Sequence, residues 1–283
     1  MSSFTTQPTK KRSLSKKRSL SESDIGQGPA KKTSFDIPKK EEEEKKVKEL
    51  SSRIIIIIDE TGSMHGRRTA TISGIKEFVE SQLNAEKIEG EEEPKLTFVF
   101  FNTTSRTFTW DKLSQVKDTN TQGLSTNTQG VLIDNPGLST NLTNNLDTVL
   151  ESYKPDNCTA LYDTIQNVTN EFGHEEYNIV AIFTDGQDNS SRVATATTVK
   201  DKIKKMQDDL HWQFHFLTIG LEQWEANDIG QSMGLQTQAV DNTLDVADQM
   251  GYLMRSVSQN ITSSRGISTQ LRQAHNHHNS NPQ

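Results

Sequence analysis

A chain of 283 residues that is only 31% hydrophobic and 6% aromatic is too polar for one uniformly packed globule, and its net charge of -7 is unevenly spread: residues 1–40 hold ten Lys/Arg against three Asp/Glu, +7, leaving -14 for residues 41–283. No apolar run exceeds the five residues Ile54–Ile58, which excludes a membrane-spanning helix of roughly 20 residues, and no apolar stretch opens the chain as a signal peptide. The single Cys158 excludes an internal disulfide and a thiolate metal site. The expectation is an intracellular protein, cytoplasmic or nuclear, without membrane insertion.

Residues 1–50 carry almost no large apolar side chains, and the hexapeptide Lys-Lys-Arg-Ser-Leu-Ser occurs twice in tandem, at Lys10–Ser15 and Lys16–Ser21. Such a tract cannot build a core and is read as a disordered basic arm. Three roles stay open for it: an import signal, a tether to nucleic acid or another anionic surface, and a linker phosphorylated at Ser13, Ser15, Ser19 or Ser21. From Arg53 onward strand and helix signals alternate. The β-branched run Ile54–Ile58 suits a strand buried on both faces. Ile72, Ile75, Phe78, Val79 and Leu83 recur at helical spacing. Leu96–Phe101 and Thr107–Trp110 read as antiparallel neighbours joined by a short polar link. Residues 113–145 repeat short Asn/Thr/Gly phrases and are expected to be an irregular polar insertion. The alternation resumes with a helical face at Leu161, Ile165, Val168 and Phe172, a strand at Asn178–Thr184, a helix over about Ser191–Leu210 and a strand at Gln213–Ile219. A short helix at Trp224–Met233, a weak strand near Thr237–Val240 and a helix from Leu244 to about Val257 follow. Residues 263–283 are polar and are expected to be a disordered tail; His275, His277 and His278 within it are read as incidental composition. The expected architecture is a doubly wound α/β domain over residues 51–262: a mostly parallel sheet, one antiparallel edge strand, helices on both faces.

In such a sheet ligands bind outside the carboxyl ends of the strands. Asp59-Glu60-Thr61-Gly62-Ser63 follows the isoleucine run, Thr184-Asp185-Gly186 follows the Asn178 strand, and Asn157-Cys158-Thr159 opens a helix between them. This Asp-x-Thr-x-Ser pattern, with a Thr before a helix and Thr-Asp-Gly after a strand, resembles a von Willebrand factor type A domain. Asp185–Arg192 is similar to the Asp-Gly-x-x-Asn-x-Ser-Arg segment of its intracellular single-domain members.

The resemblance implies a metal-ion-dependent adhesion site. Thr61 and Ser63 would ligate a divalent ion through their hydroxyls, Thr159 directly or through water, and Asp59 and Asp185 mostly through bound waters. An all-oxygen set without His or Cys independently suits a hard cation, Mg²⁺ in preference to Mn²⁺ or Ca²⁺. Two carboxylates only just neutralise such an ion, so it can still attract a partner's Asp or Glu. Cys158 stands where the family usually has Gly, and Asn157 is the residue expected to supply a left-handed backbone there. Asp188 is read as a cap for the following helix, and His65 as a loop histidine without a role. The resulting expectation is a non-enzymatic module that binds a protein partner's carboxylate through Mg²⁺. The alternatives are a metal-assisted hydrolase, which lacks an evident nucleophile and base pair, and a structural protein contacting nucleic acid through the basic arm alone.

Overall fold

The computed structural model describes residues 52–86, 91–117, 124–127, 145–175, 177–239 and 245–279. The basic arm expected over residues 1–50 and most of the polar insertion lie outside these residues. The isoleucine run forms β1 (Arg53–Asp59), every residue of which is buried. Its neighbours are β2 (Lys95–Phe101) and β5 (Ile179–Thr184), both parallel to it. With β3 (Ser105–Trp110), β4 (Leu124–Asn127), β6 (Gln213–Thr218) and β7 (Thr237–Ala239) they make one sheet in the order β4-β3-β2-β1-β5-β6-β7. β6 and β7 continue the parallel side, and β3 runs antiparallel to β2. The expected mostly parallel architecture is observed.

β1 also explains the two cores. Side chains alternate across a strand, so Ile54, Ile56 and Ile58 face one layer and Ile55 and Ile57 the other. The first layer is covered by α1 (Arg68–Asn84) and α6 (Val246–Asn279), through Ile75, Phe78, Val79, Met250, Leu253, Met254, Val257 and Ile261. α1 and α6 approach closely at Gly74, where an added Cβ would come within 2.8 Å of both Met250 Cγ and Met254 Cγ. The second layer is covered by α3 (Leu161–Glu171), α4 (Ala196–Leu210) and α5 (Gln223–Ser232), with Ile165, Val168, Val199, Ile203 and Ile229 inward.

Three expectations need correction. The polar insertion is partly structured: Leu113 and Val116 are buried in a 3₁₀ turn, β4 pairs with β3, and α2 (Leu146–Glu151) is capped by Asn145, whose Oδ1 accepts from Thr148 N at 2.8 Å. The Leu-Ser-Thr-Asn of β4 has no apolar alternation to announce a strand; pairing with a formed edge supplies what local preference does not. The helix expected from Ser191 begins at Ala196, behind a Thr195 cap.

The expected tail is the third correction, because α6 runs on to Asn279. Leu253, Met254, Val257, Ser258 and Ile261 are succeeded by Ser264, Arg265, Ser268 and Thr269, all buried. The helical period is unbroken while its chemistry turns polar. Three of those polar residues are met by partners: Arg265 donates to Glu91 Oε1 and Oε2 at 2.8 and 2.9 Å, and Gln213 Nε2 donates to Ser264 O and Ser268 Oγ, both at 3.3 Å. The Arg265 and Glu91 side chains are only 7% and 3% exposed. Removing one member of a buried pair strands the other charge, at a cost of about 3 to 5 kcal/mol. Urea unfolding of Arg265→Ala should therefore show a loss of about 3 kcal/mol; a loss below about 0.5 kcal/mol would contradict this placement of α6.

Candidate metal centre

β1 and β5 lie side by side, yet the chain leaves β1 toward β2 on one flank and returns to β5 on the other. Loops departing in opposite directions leave a crevice at the carboxyl ends of the two strands. Asp59 is the last residue of β1 and Asp185 the first after β5, so the crevice has a carboxylate on each side.

Asp59 is fully buried. Its Oδ1 accepts from Thr61 N at 2.8 Å and its Oδ2 from Thr184 Oγ1 at 2.6 Å. Thr61 Oγ1 and Ser63 Oγ are 3.1 Å apart, and Ser63 Oγ donates to Asp185 Oδ1 at 2.6 Å. Four of the five expected residues are thus joined in one hydrogen-bonded chain. Thr159 is brought alongside through backbone: Gly62 N donates to Asn157 O at 3.1 Å, and Thr159 N donates to Asn189 Oδ1 at 2.8 Å. Asn157 has φ 67°, the left-handed conformation expected of it in place of a glycine. Cys158 beside it is exposed.

Further residues hold these loops, none with a motif to announce it. Glu60, buried, accepts from Arg106 Nη2 at 2.6 and 2.7 Å and also from Lys154 N. Its backbone O accepts from Asp156 N at 2.9 Å, which ties the first motif to the loop leading to Thr159. Asp163, in the first turn of α3, accepts from the N–H groups of Ala194, Arg192 and Val193 at 2.6, 2.8 and 3.0 Å. Burial opposes ionisation of Asp163, but those three donors and the Arg192 charge outweigh it and hold the carboxyl below the usual range. Asp188 bonds to Ser191 and to Tyr162 N, so it caps α3 and not the following helix as expected. Arg67 was missed altogether: its Nη1 donates to Asp185 Oδ2 at 2.8 Å and to Ser63 O at 3.2 Å.

Among the described residues no three His, Cys, Asp or Glu side chains converge on one point. A cation here must be held by carboxylates supplemented with hydroxyls, the donor set of a hard ion. The spacing fits: neighbouring ligands of an octahedral Mg²⁺ lie about 2.9 Å apart, against 3.1 Å for Thr61 to Ser63 and 2.6 Å for Ser63 to Asp185.

No family profile matches the chain and no curated protein matches it. Solved structures do, at the level of fold. The human COPII-coat protein Sec24c is similar with a TM-score of 0.51 at 12% identity, over 76% of this chain and 33% of that one. A von Willebrand factor type A protein from Catenulispora acidiphila gives 0.48 at 16% identity, over 77% and 43%. The von Willebrand factor domain of the type V pili tip protein Mfa5 from Porphyromonas gingivalis gives 0.46 at 10%, over 75% and 96%. The fold shared with Sec24c is a doubly wound α/β sheet. This chain spans less than half of the first two proteins, and the likeness extends to fold alone. No helix among the described residues is long and apolar enough to cross a membrane.

The site's electrostatics follow from its depth. Burial raises the Asp59 carboxyl to about 6, against the pull of the Thr184 and Thr61 hydrogen bonds and with a further push from Asp185. Burial also raises Asp185, opposed by Ser63 and the Arg67 charge. An unfolded Asp titrates near 3.9, so as pH falls the folded chain takes up the proton first. Stability linked to Asp59 is therefore fullest below about pH 4 and is lost as pH rises through about 6. In chelator at pH 7.5, Asp59→Asn should unfold at higher urea than wild type, by about 1 to 3 kcal/mol, and should lack the wild-type decline between pH 4 and 6. A destabilised Asp59→Asn with an unchanged pH slope would contradict this.

Proposed function

We propose that the crevice binds a divalent cation, Mg²⁺ first, and presents it to an Asp or Glu carboxylate of a protein partner. The observation that carries this reading is the continuous run of oxygen donors from buried Asp59 through Thr184 and from Thr61 through Ser63 to Asp185. Ser63 and Thr61 would hold the ion by their hydroxyls, Thr159 directly or through water, and Asp59 and Asp185 through waters. When bound, the ion supplies a hard positive charge at the mouth of the crevice. The chain's own residues fix where that charge stands: Glu60 and Arg106 hold the first loop, and Asp163 and Asn189 hold the third against Thr159.

Binding without turnover is the better reading of these residues. Among the described residues no imidazole hydrogen-bonds to Ser63 or Asp185, and the carboxylate that Ser63 meets is shared with Arg67. A hydroxyl so placed has no free base to activate it. A protein working this way inside a cell would need neither a membrane segment nor a disulfide.

A ligand that binds only the native state raises stability by mass action. Adding Mg²⁺ to the chelator-treated full chain, at about a hundred times its Kd, should raise Tm by roughly 5 to 10 °C. Asp59→Ala should show no shift. The affinity should also fall as pH drops through about 6, because the ion needs Asp59 ionised. A Tm unmoved by Mg²⁺ in the wild type, or moved equally in Asp59→Ala, would overturn the reading.

A further inference from the structure

We infer that Arg67 is an internal counter-ion that competes with the divalent cation for Asp185 and thereby sets the affinity of the site. The inference rests on the divalent-cation reading proposed above. Arg67 sits four residues after Ser63, where the 3₁₀ turn Gly62–Arg67 ends and α1 begins. That position swings its side chain back over the crevice, and Nη1 reaches Asp185 Oδ2 at 2.8 Å. Asp185 therefore has one oxygen on Ser63 and the other on a guanidinium. A cation drawing on this carboxylate must share it with Arg67 or displace it.

The bond is built for release more than for bracing. A guanidinium bound two-pronged to a carboxylate is the strong, geometrically fixed arrangement, as Arg53 makes with Glu175 at 2.7 and 2.8 Å on the opposite end of β1. Arg67 engages Asp185 through Nη1 alone, and its Nε is buried without a hydrogen-bond partner. Its side chain is 24% exposed, so a route to solvent is open. Room for it is made by Gly220, at φ 75°, where an added Cβ would lie 2.3 Å from Arg67 Nη2. Any larger residue would push the guanidinium off, and Gly220 follows directly on Ile219, whose N donates to Thr184 O.

Charge counting gives the direction. Asp59 and Asp185 together carry two negative charges, which a divalent ion neutralises. Arg67 already offsets one of them, so the ion meets half the attraction the carboxylates alone would offer. Calorimetric titration of MgCl₂ into the chelator-treated full chain tests this. Arg67→Gln should bind Mg²⁺ on the order of tenfold more tightly than wild type, as expected for removing one like charge several ångströms from the ion in a solvent-exposed crevice. Arg67→Met, which keeps the aliphatic stem, repeats the neutral arm if Gln disturbs folding. Arg67→Lys, which keeps the charge, should stay close to wild type. Absence of Mg²⁺ binding by the wild type would overturn the cation reading and the inference with it. Wild-type binding with equal or weaker binding in both neutral variants would overturn the inference and leave the cation site standing.

Discussion

A carboxylate at the end of a completely buried strand needs compensation, and the site is organised around meeting that need at Asp59. The five isoleucines ahead of it lock β1 between β2 and β5, and Asp59 is buried at its end. Desolvating a charge this way is far more costly than burying an amide or hydroxyl. Thr184 and the Thr61 backbone offset part of that cost, yet the carboxyl is still driven up to about 6. Under the proposed reading, the remaining deficit is what a cation entering the crevice would relieve. Asp185, across the crevice, adds to the deficit, and Arg67 reduces it.

The same requirement accounts for the care with which the loops are held. Hydroxyl ligands are neutral and weak, so they contribute only if they are already in position. Glu60 does this for the first loop: it points away from the crevice, into Arg106, whose guanidinium lies 5.6 and 5.8 Å from the rings of Phe100 and Phe108. Tyr153 works from beneath, its hydroxyl donating to Asp59 O at 2.7 Å. Asp163 gathers three successive N–H groups of the loop after β5, and Asn189 of that loop then grips Thr159. A half-buried ion pair and a cluster of backbone bonds thus position hydroxyls they do not touch. If the crevice receives a partner as proposed, such stiffness favours binding, because less order has to be created.

Much of this was legible in the residues, and the exceptions share a cause. The isoleucine run, the helical stripes and the strand-end Asp, Thr and Ser residues carry strong local signals, and the structure brings Asp59, Thr61, Ser63 and Asp185 into one bonded chain. Asn157 could be singled out because a left-handed residue is needed where glycine is absent. Arg67, Glu60 and Asp163 could not, since each acts through a partner about 30 to 120 positions away that spacing along the chain does not reveal. The end of α6 was hidden differently. Its stripe keeps the helical period while Ser264, Arg265, Ser268 and Thr269 replace apolar residues, and the contacts with Glu91 and Gln213 explain how Ser264, Arg265 and Ser268 are buried.

The central claim is that these oxygens converge on a divalent cation, and anomalous diffraction from crystals of the full chain grown with MnCl₂ tests it most directly. The account predicts a single strong manganese peak in the crevice, roughly 2 Å from Ser63 Oγ and Thr61 Oγ1, with Arg67 drawn away from Asp185. A crevice without a peak, in crystals that retain the contact between Arg67 and Asp185 at saturating manganese, would contradict it.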